Sequence, residues 1–234
     1  MKKILVGITT THGSDWEKKI EDIDKLGIKE AALFPTILEH NERKIFFDKL
    51  QKTRLKNVPH VHIRDDMSID ELKYLYKQYG TKLFNIHSTE ACNDFIKKFG
   101  KYYKDQLFVE NSGELDDNFY LGLDISDGLC LDFSHYYDYW SKQKREDYKK
   151  LSKLIDNYKI GCCHISAVTE KKIYADYGGQ DKWHYNRHTF SDLSEFDYLL
   201  ELKQYLPDII SLELENSLKE QLEVKKYIEK NILK

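Results

Sequence analysis

Gly128-Leu-Cys-Leu-Asp132-Phe-Ser-His135 is the stretch that decides how this chain folds. Leu129-Cys-Leu131 has strand length and is apolar on both faces, and it stops abruptly at a carboxylate with a histidine three residues on. A strand apolar on both faces belongs to a parallel sheet covered on both sides. The same shape recurs along the chain: Phe84-Asn-Ile-His87, Leu107-Phe-Val-Glu110, Cys163-His164 and Ser211-Leu-Glu213-Leu-Glu215, with His60-Val-His62 as a more polar version. Counted in this way, strands fall near residues 4–9, 30–34, 58–63, 82–87, 106–110, 128–132, 160–164 and 209–213.

Helical segments with readable punctuation lie between them. Residues 15–27 have Ser14 as a candidate cap and end at Gly27. Ser68-Ile-Asp-Glu71 is a capping box for a helix running to Gly80. Residues 91–99 end at Gly100, 136–158 read as one long charged helix, 192–205 stop before Pro207, and 217–233 close the chain. Residues 114–127 have room for little more than one turn. Eight such strand–helix units without a break in composition predict a single-domain (β/α)8 barrel over residues 1–234. An open doubly wound sheet would carry a glycine fingerprint after its first strand, and Thr9-Thr-Thr-His-Gly13 is none.

Composition narrows the function classes. The chain has 234 residues, 41% hydrophobic and 33% charged, with 37 basic against 40 acidic side chains and a net charge of −3. Aromatic residues make up 13%, which excludes intrinsic disorder. No stretch approaches a membrane span. Met1 to Ile8 reads as a first strand and not as a leader, so a cytoplasmic protein without membrane contact is expected. Cys92, Cys130, Cys162 and Cys163 have no metal or redox spacing and are expected to be reduced thiols, the last two on opposite faces of one strand.

In a (β/α)8 barrel the carboxyl ends of the strands form one rim. Six strands place His62, His87, Glu110, Asp132, His164 and Glu213 there, with His135 just after the sixth. Carboxylates crowded at one mouth repel unless a cation neutralises them, and imidazole with carboxylate suits a divalent metal: zinc first, then manganese, cobalt or magnesium. Strand register favours Glu213 over Glu215 and His62 over His60.

The ordered set of rim motifs resembles the xylose isomerase-like TIM-barrel superfamily (AP endonuclease family 2), and most of all its endonuclease IV branch. Val109-Glu-Asn-Ser-Gly113 is similar to that branch's Glu-Asn-Thr-Ala-Gly, and Gly128 to His135 to its Gly-Val-Cys-Leu-Asp-Thr-Cys-His. The resemblance implies a metal-dependent enzyme in which Glu110 bridges two ions. Asp132, His164 and Glu213 complete one site, and His62 and His87 the other. It implies a third site at His135, with the strand-seven pair matched by Asn186-Arg-His188, where Asn stands for the family's Asp. One expected activity is hydrolysis of a phosphodiester such as abasic DNA. His62 and His87 favour that reading, because sugar isomerases of this superfamily normally lack them; the alternative is a sugar isomerase or epimerase with one ion and Glu110 and Glu213 as acid and base. A non-catalytic metabolite-binding barrel is a third class. Asn111, Trp183, His184 and Arg187 are the candidate substrate-binding residues. The oligomeric state is not encoded in any of these features.

Overall fold

The computed structural model describes residues 2–103, 105–176 and 181–234. The chain runs β1 (Lys3–Thr9), α1 (Trp16–Lys25), β2 (Ala31–Phe34), α2 (His40–Gln51), β3 (His60–His62), α3 (Ile69–Tyr79), β4 (Leu83–Ile86), α4 (Glu90–Phe99), β5 (Leu107–Glu110), α5 (Asp117–Ile125), β6 (Leu129–Asp132), α6 (Phe133–Tyr137), α7 (Glu146–Leu154), β7 (Ile160–Ile165), β8 (Ala167–Asp176), β9 (Asp181–Arg187), α8 (Leu199–Leu202), β10 (Ile209–Leu212) and α9 (Leu218–Asn231). Eight parallel strands close in the order β1-β10-β7-β6-β5-β4-β3-β2, so the expected (β/α)8 barrel is the fold. β8 and β9 stand apart as an antiparallel hairpin in the seventh loop. Among the described residues no helix is long and apolar enough to cross a membrane.

Strand parity sorts the side chains. Leu107 and Val109, Leu129 and Leu131, and Ile210 and Leu212 join the large core between strands and helices. Their alternates, Phe108 and Glu110, Cys130 and Asp132, and Ser211 and Glu213, face the lumen. Leu5, Ala32 and Phe34 form one small lumen cluster, and Phe108, Cys130 and Cys162 another. Cys163 packs in the outer core, so the two adjacent cysteines do face opposite ways.

β7 reaches this arrangement by a bulge. Leu129 pairs with Ile160, but Cys130 pairs with Cys162, which leaves Gly161 extra. One extra residue re-phases the strand, so that Cys162 and His164 point inward. Gly161 must lack a side chain, because a Cβ there would lie 2.1 Å from the Phe108 ring. At the β1–β10 seam, Gln221 of α9 accepts from the Gly7 N–H (2.7 Å) and donates to the carbonyls of Gly7 and Leu214, both at 3.0 Å.

Several local expectations are corrected. Asp15, not Ser14, caps α1 by accepting from the Lys18 N–H at 3.0 Å, while Ser14 donates to the Thr9 carbonyl. Residues 114–127 hold a nine-residue helix, started by Asp116 accepting from Asn118 and Phe119. The expected long helix over 136–158 is broken by a π turn at Asp138–Lys142 and a left-handed Lys144 (φ 56°). Residues 192–205 are short 3-10 and α turns. α2, left unmarked by the pattern, buries Arg43, Phe46, Phe47 and Leu50.

Gly161→Ala is expected to destabilise the barrel by about 1–3 kcal/mol through overpacking against Phe108. Adding Phe108→Leu should restore part of that loss, so the denaturation free energies of the two changes should be non-additive. Strict additivity would mean that Gly161 serves something other than lumen space.

Candidate metal centre at the barrel mouth

Lumen parity places the rim side chains in one layer, buried except for His87, whose side chain is 49% exposed. Glu110 is 3% exposed and ends β5. Its Oε2 accepts from Asn85 Nδ2 at 2.7 Å, lies 2.9 Å from His62 Nε2 and 3.4 Å from His164 Nδ1, while its Oε1 is 3.9 Å from His87 Nε2. Glu213 Oε2 is 3.3 Å from His164 Nδ1. Asp132 caps α6: its Oδ1 accepts from Ser134 Oγ (2.7 Å) and the His135 N–H (2.8 Å). Phe34 supports the layer from below, with its ring 5.0 Å from that of His164.

Two ligand groups share Glu110. His62, His87 and Glu110 form one; Glu110, Asp132 and His164 form the other, the ligand atoms within each lying no more than 4.8 Å apart. Their second contacts suit a cation. His62 Nδ1 is 3.1 Å from the Ile63 carbonyl, which only accepts, so that nitrogen carries a proton and Nε2 is the one aimed at Glu110, where it donates to the carboxylate or, with a cation in place of that proton, would ligate it. Asn85 Oδ1 does the same for His164 by accepting from Nε2 at 3.2 Å, which leaves Nδ1 toward the carboxylates. Asp132 Oδ2 and His164 Nδ1 are buried without a hydrogen-bond partner. Orphaned carboxylate and imidazole atoms aimed at one point are the donor set of a divalent ion.

Without an ion, protons take up the strain. Burial by itself would lower the His164 pKa, but Glu110 and Glu213 outweigh it and hold it at about 10. Burial works to raise the Glu213 carboxyl, yet His188 and His164 bring it down to about 2. The surrounding imidazoles hold Glu110 well below the usual carboxylate range against the same burial.

The remaining sequence candidates lie further out. His135 Nε2 is 3.8 Å from Asp132 Oδ2, with its ring stacked on Tyr139. Glu215 turns into the first loop, where its Oε1 accepts from Thr11 Oγ1 at 2.6 Å and its carboxylate occupies the space a Cβ on Gly13 would need. His188 accepts from the Glu215 N–H through its carbonyl. His184 is buried with Nδ1 3.4 Å from the Tyr139 hydroxyl. Arg187 donates to Glu195 and Ser191. Trp183 is 58% exposed on the hairpin, its ring against Tyr174. Asn111 commits both ends of its amide to the Asp132 backbone (2.7 and 3.1 Å) and so clamps the ends of β5 and β6 together.

Asn186 has a structural account. Buried Asp138 accepts through Oδ2 from the Tyr185 N–H (2.9 Å), the Asn186 N–H (3.2 Å) and Asn186 Nδ2 (2.6 Å), and so anchors the hairpin. An Asp at 186 would set two buried carboxylates against each other. Asn85 and Ser211 are missed as site residues because they sit inside apolar-looking runs, and His60 is passed over in favour of His62; stepping back two residues from His62, His87 and Glu213 reaches all three. Beside His87 opens a cleft of about 310 Å³ with Glu90, Glu114 and Asp116 among its walls.

No family model and no curated protein matches the sequence. Among solved structures, the crystal structure of a xylose isomerase domain protein from Planctomyces limnophilus superposes with a TM-score of 0.49 and 13% identity, over 98% of this chain and 96% of that one.

The proton balance predicts how the metal-free protein responds to pH. His164 is raised from an ordinary 6.5 to about 10, so its contribution to stability is complete below 6.5 and is lost as pH rises toward 10. Glu213 is lowered from 4.5 to about 2, so its contribution is complete above 4.5 and is lost as pH falls toward 2. Chelator-treated protein should therefore be most stable between these limits, and melting curves of His164→Gln should lose the alkaline decline. An alkaline limb unchanged by that substitution would exclude His164 as its source.

Proposed function

We propose that this chain is a divalent-metal-dependent enzyme of the xylose isomerase-like TIM-barrel type, with a two-ion centre bridged by Glu110 and hydrolytic chemistry on a phosphodiester, in the manner of the endonuclease IV branch. The observation that carries the proposal is the sharing of Glu110 between His62/His87 and Asp132/His164. Zinc is the ion these nitrogen and oxygen donors suit best. Bound there, two ions would activate water and neutralise charge on the leaving oxygen.

The chain's own residues define the rest. Asn85 holds Glu110 and His164 in place through both ends of its amide. Glu213 and Glu110 converge on the same atom, His164 Nδ1, at 3.3 and 3.4 Å, and Glu213 is the carboxylate we assign to take a proton from a substrate group or water. The third ion of the endonuclease IV pattern calls for a carboxylate where this chain has Asn186, which offers only a neutral amide oxygen while its nitrogen donates to Asp138.

The cleft beside His87 favours a second reading. Its acidic walls suit a neutral polyol better than a polyanion, as a sugar isomerase or epimerase using Glu110 and Glu213 as acid and base would require. One pair of substitutions separates the readings. His62→Ala with His87→Ala should remove one ion per chain and abolish hydrolysis of a model phosphodiester if the centre is binuclear. If metal content does not change and turnover of a ketose or aldose persists, the one-ion isomerase is the correct reading.

A further inference from the structure

One layer below the rim, His60, Cys130 and Cys162 turn into the lumen, all fully buried. A ring nitrogen of His60 and the two Sγ atoms lie within 4.8 Å of one another. The cysteines face each other in register on β6 and β7, and Cys162 points inward only because of the bulge at Gly161. His60 reaches them from β3, on the opposite wall of the barrel. Its Nε2 lies 2.9 Å from Asn85 Oδ1, an acceptor, so that nitrogen carries the proton. Nδ1 is therefore the lone-pair nitrogen, and its partner at 2.7 Å is the Ser211 hydroxyl, a rotor that can turn elsewhere.

We infer that this layer is a second cation site, distinct from the rim centre and selective for a soft divalent d10 ion such as zinc or cadmium. Charge decides the valence. Phe108 and Leu83 pack against the thiols, and Phe34 against His60, so the layer rests on an apolar floor where a net charge is costly. A divalent ion held by two thiolates and a neutral imidazole leaves no net charge. The donors decide the class: the three carry no carboxylate, so hard cations such as magnesium or calcium find nothing to prefer. On binding, two S–H bonds give way to two metal–sulfur bonds, one metal–nitrogen bond forms, two protons leave to solvent, and no electron moves. Metal–sulfur bonds of about 2.3 Å would draw the three donors slightly together. The bound ion would tie β3 to β6 and β7 across the lumen, beneath the rim ligands.

The test uses the full chain, stripped by chelator in the presence of a phosphine reductant and titrated with cadmium. Sulfur-to-cadmium charge-transfer absorption in the ultraviolet reads only this site, because the rim donors contain no sulfur. The expected result is one band-forming cadmium per chain, with two protons released into weak buffer. Cys130→Ser and Cys162→Ser should each lose most of the band while cadmium at the rim persists. Cys92→Ser with Cys163→Ser should keep the whole band, which assigns it to the remaining thiols even where the lumen variants fail to fold. A wild type without the band would overturn the inference and leave the thiols as apolar filling. Loss of the band in the Cys92/Cys163 variant would overturn it as well.

Discussion

Glu110, Asp132 and Glu213 are carboxylates buried together at the top of the lumen, and the ion pairs they make among the described residues involve only histidines. Burying like charges in a low dielectric is unfavourable unless something positive lies between them. The rest of the mouth answers that constraint. Ile63 and Asn85 each take one ring N–H, of His62 and His164 respectively, so that the other ring nitrogen of each faces the carboxylates. Either protons or cations must then fill the gap, and the same side chains serve both states.

The lumen below is layered by chemistry. Leu5, Ala32 and Phe34 make one apolar cluster, and Phe108 with Leu83 packs against the thiols in another. Beside these apolar groups lie imidazole, hydroxyl and thiols at His60, Ser211, Cys130 and Cys162, and one strand step further along come the carboxylates and ligand imidazoles. Asn85 joins the last two layers, since its Oδ1 accepts from His60 and His164 while its Nδ2 donates to Glu110. This layering depends on strand parity, and parity on β7 depends on one extra glycine. A regular β7 would turn Cys162 outward and leave the thiol layer incomplete.

The barrel and most of its mouth are legible in the sequence because buried parallel strands are short apolar runs and their last inward residue stands out by charge. The legible part stops where the physics is not local. The strand period places Asn85 and His60 on the inward face, but their roles come from partners on other strands, which the local sequence does not name. The bulge at Gly161 looks like any strand glycine until Phe108 is seen filling its space. The segment 136–158 has good helical composition, yet Asp138 is drawn into the hairpin anchor and the helix breaks there. Glu213 and Glu215 share a parity and differ only in that Thr11 and Gly13 receive the second.

In the proposed two-ion centre Glu110 would lie between the ions and be shared by both. Anomalous diffraction at the zinc edge, from crystals of metal-replete protein, tests it most directly. Two peaks about 3.5–4 Å apart are expected on either side of the Glu110 carboxylate, one toward His62 and His87 and the other toward Asp132 and His164. A single peak on the Asp132 side, with His62 and His87 bare, would contradict it.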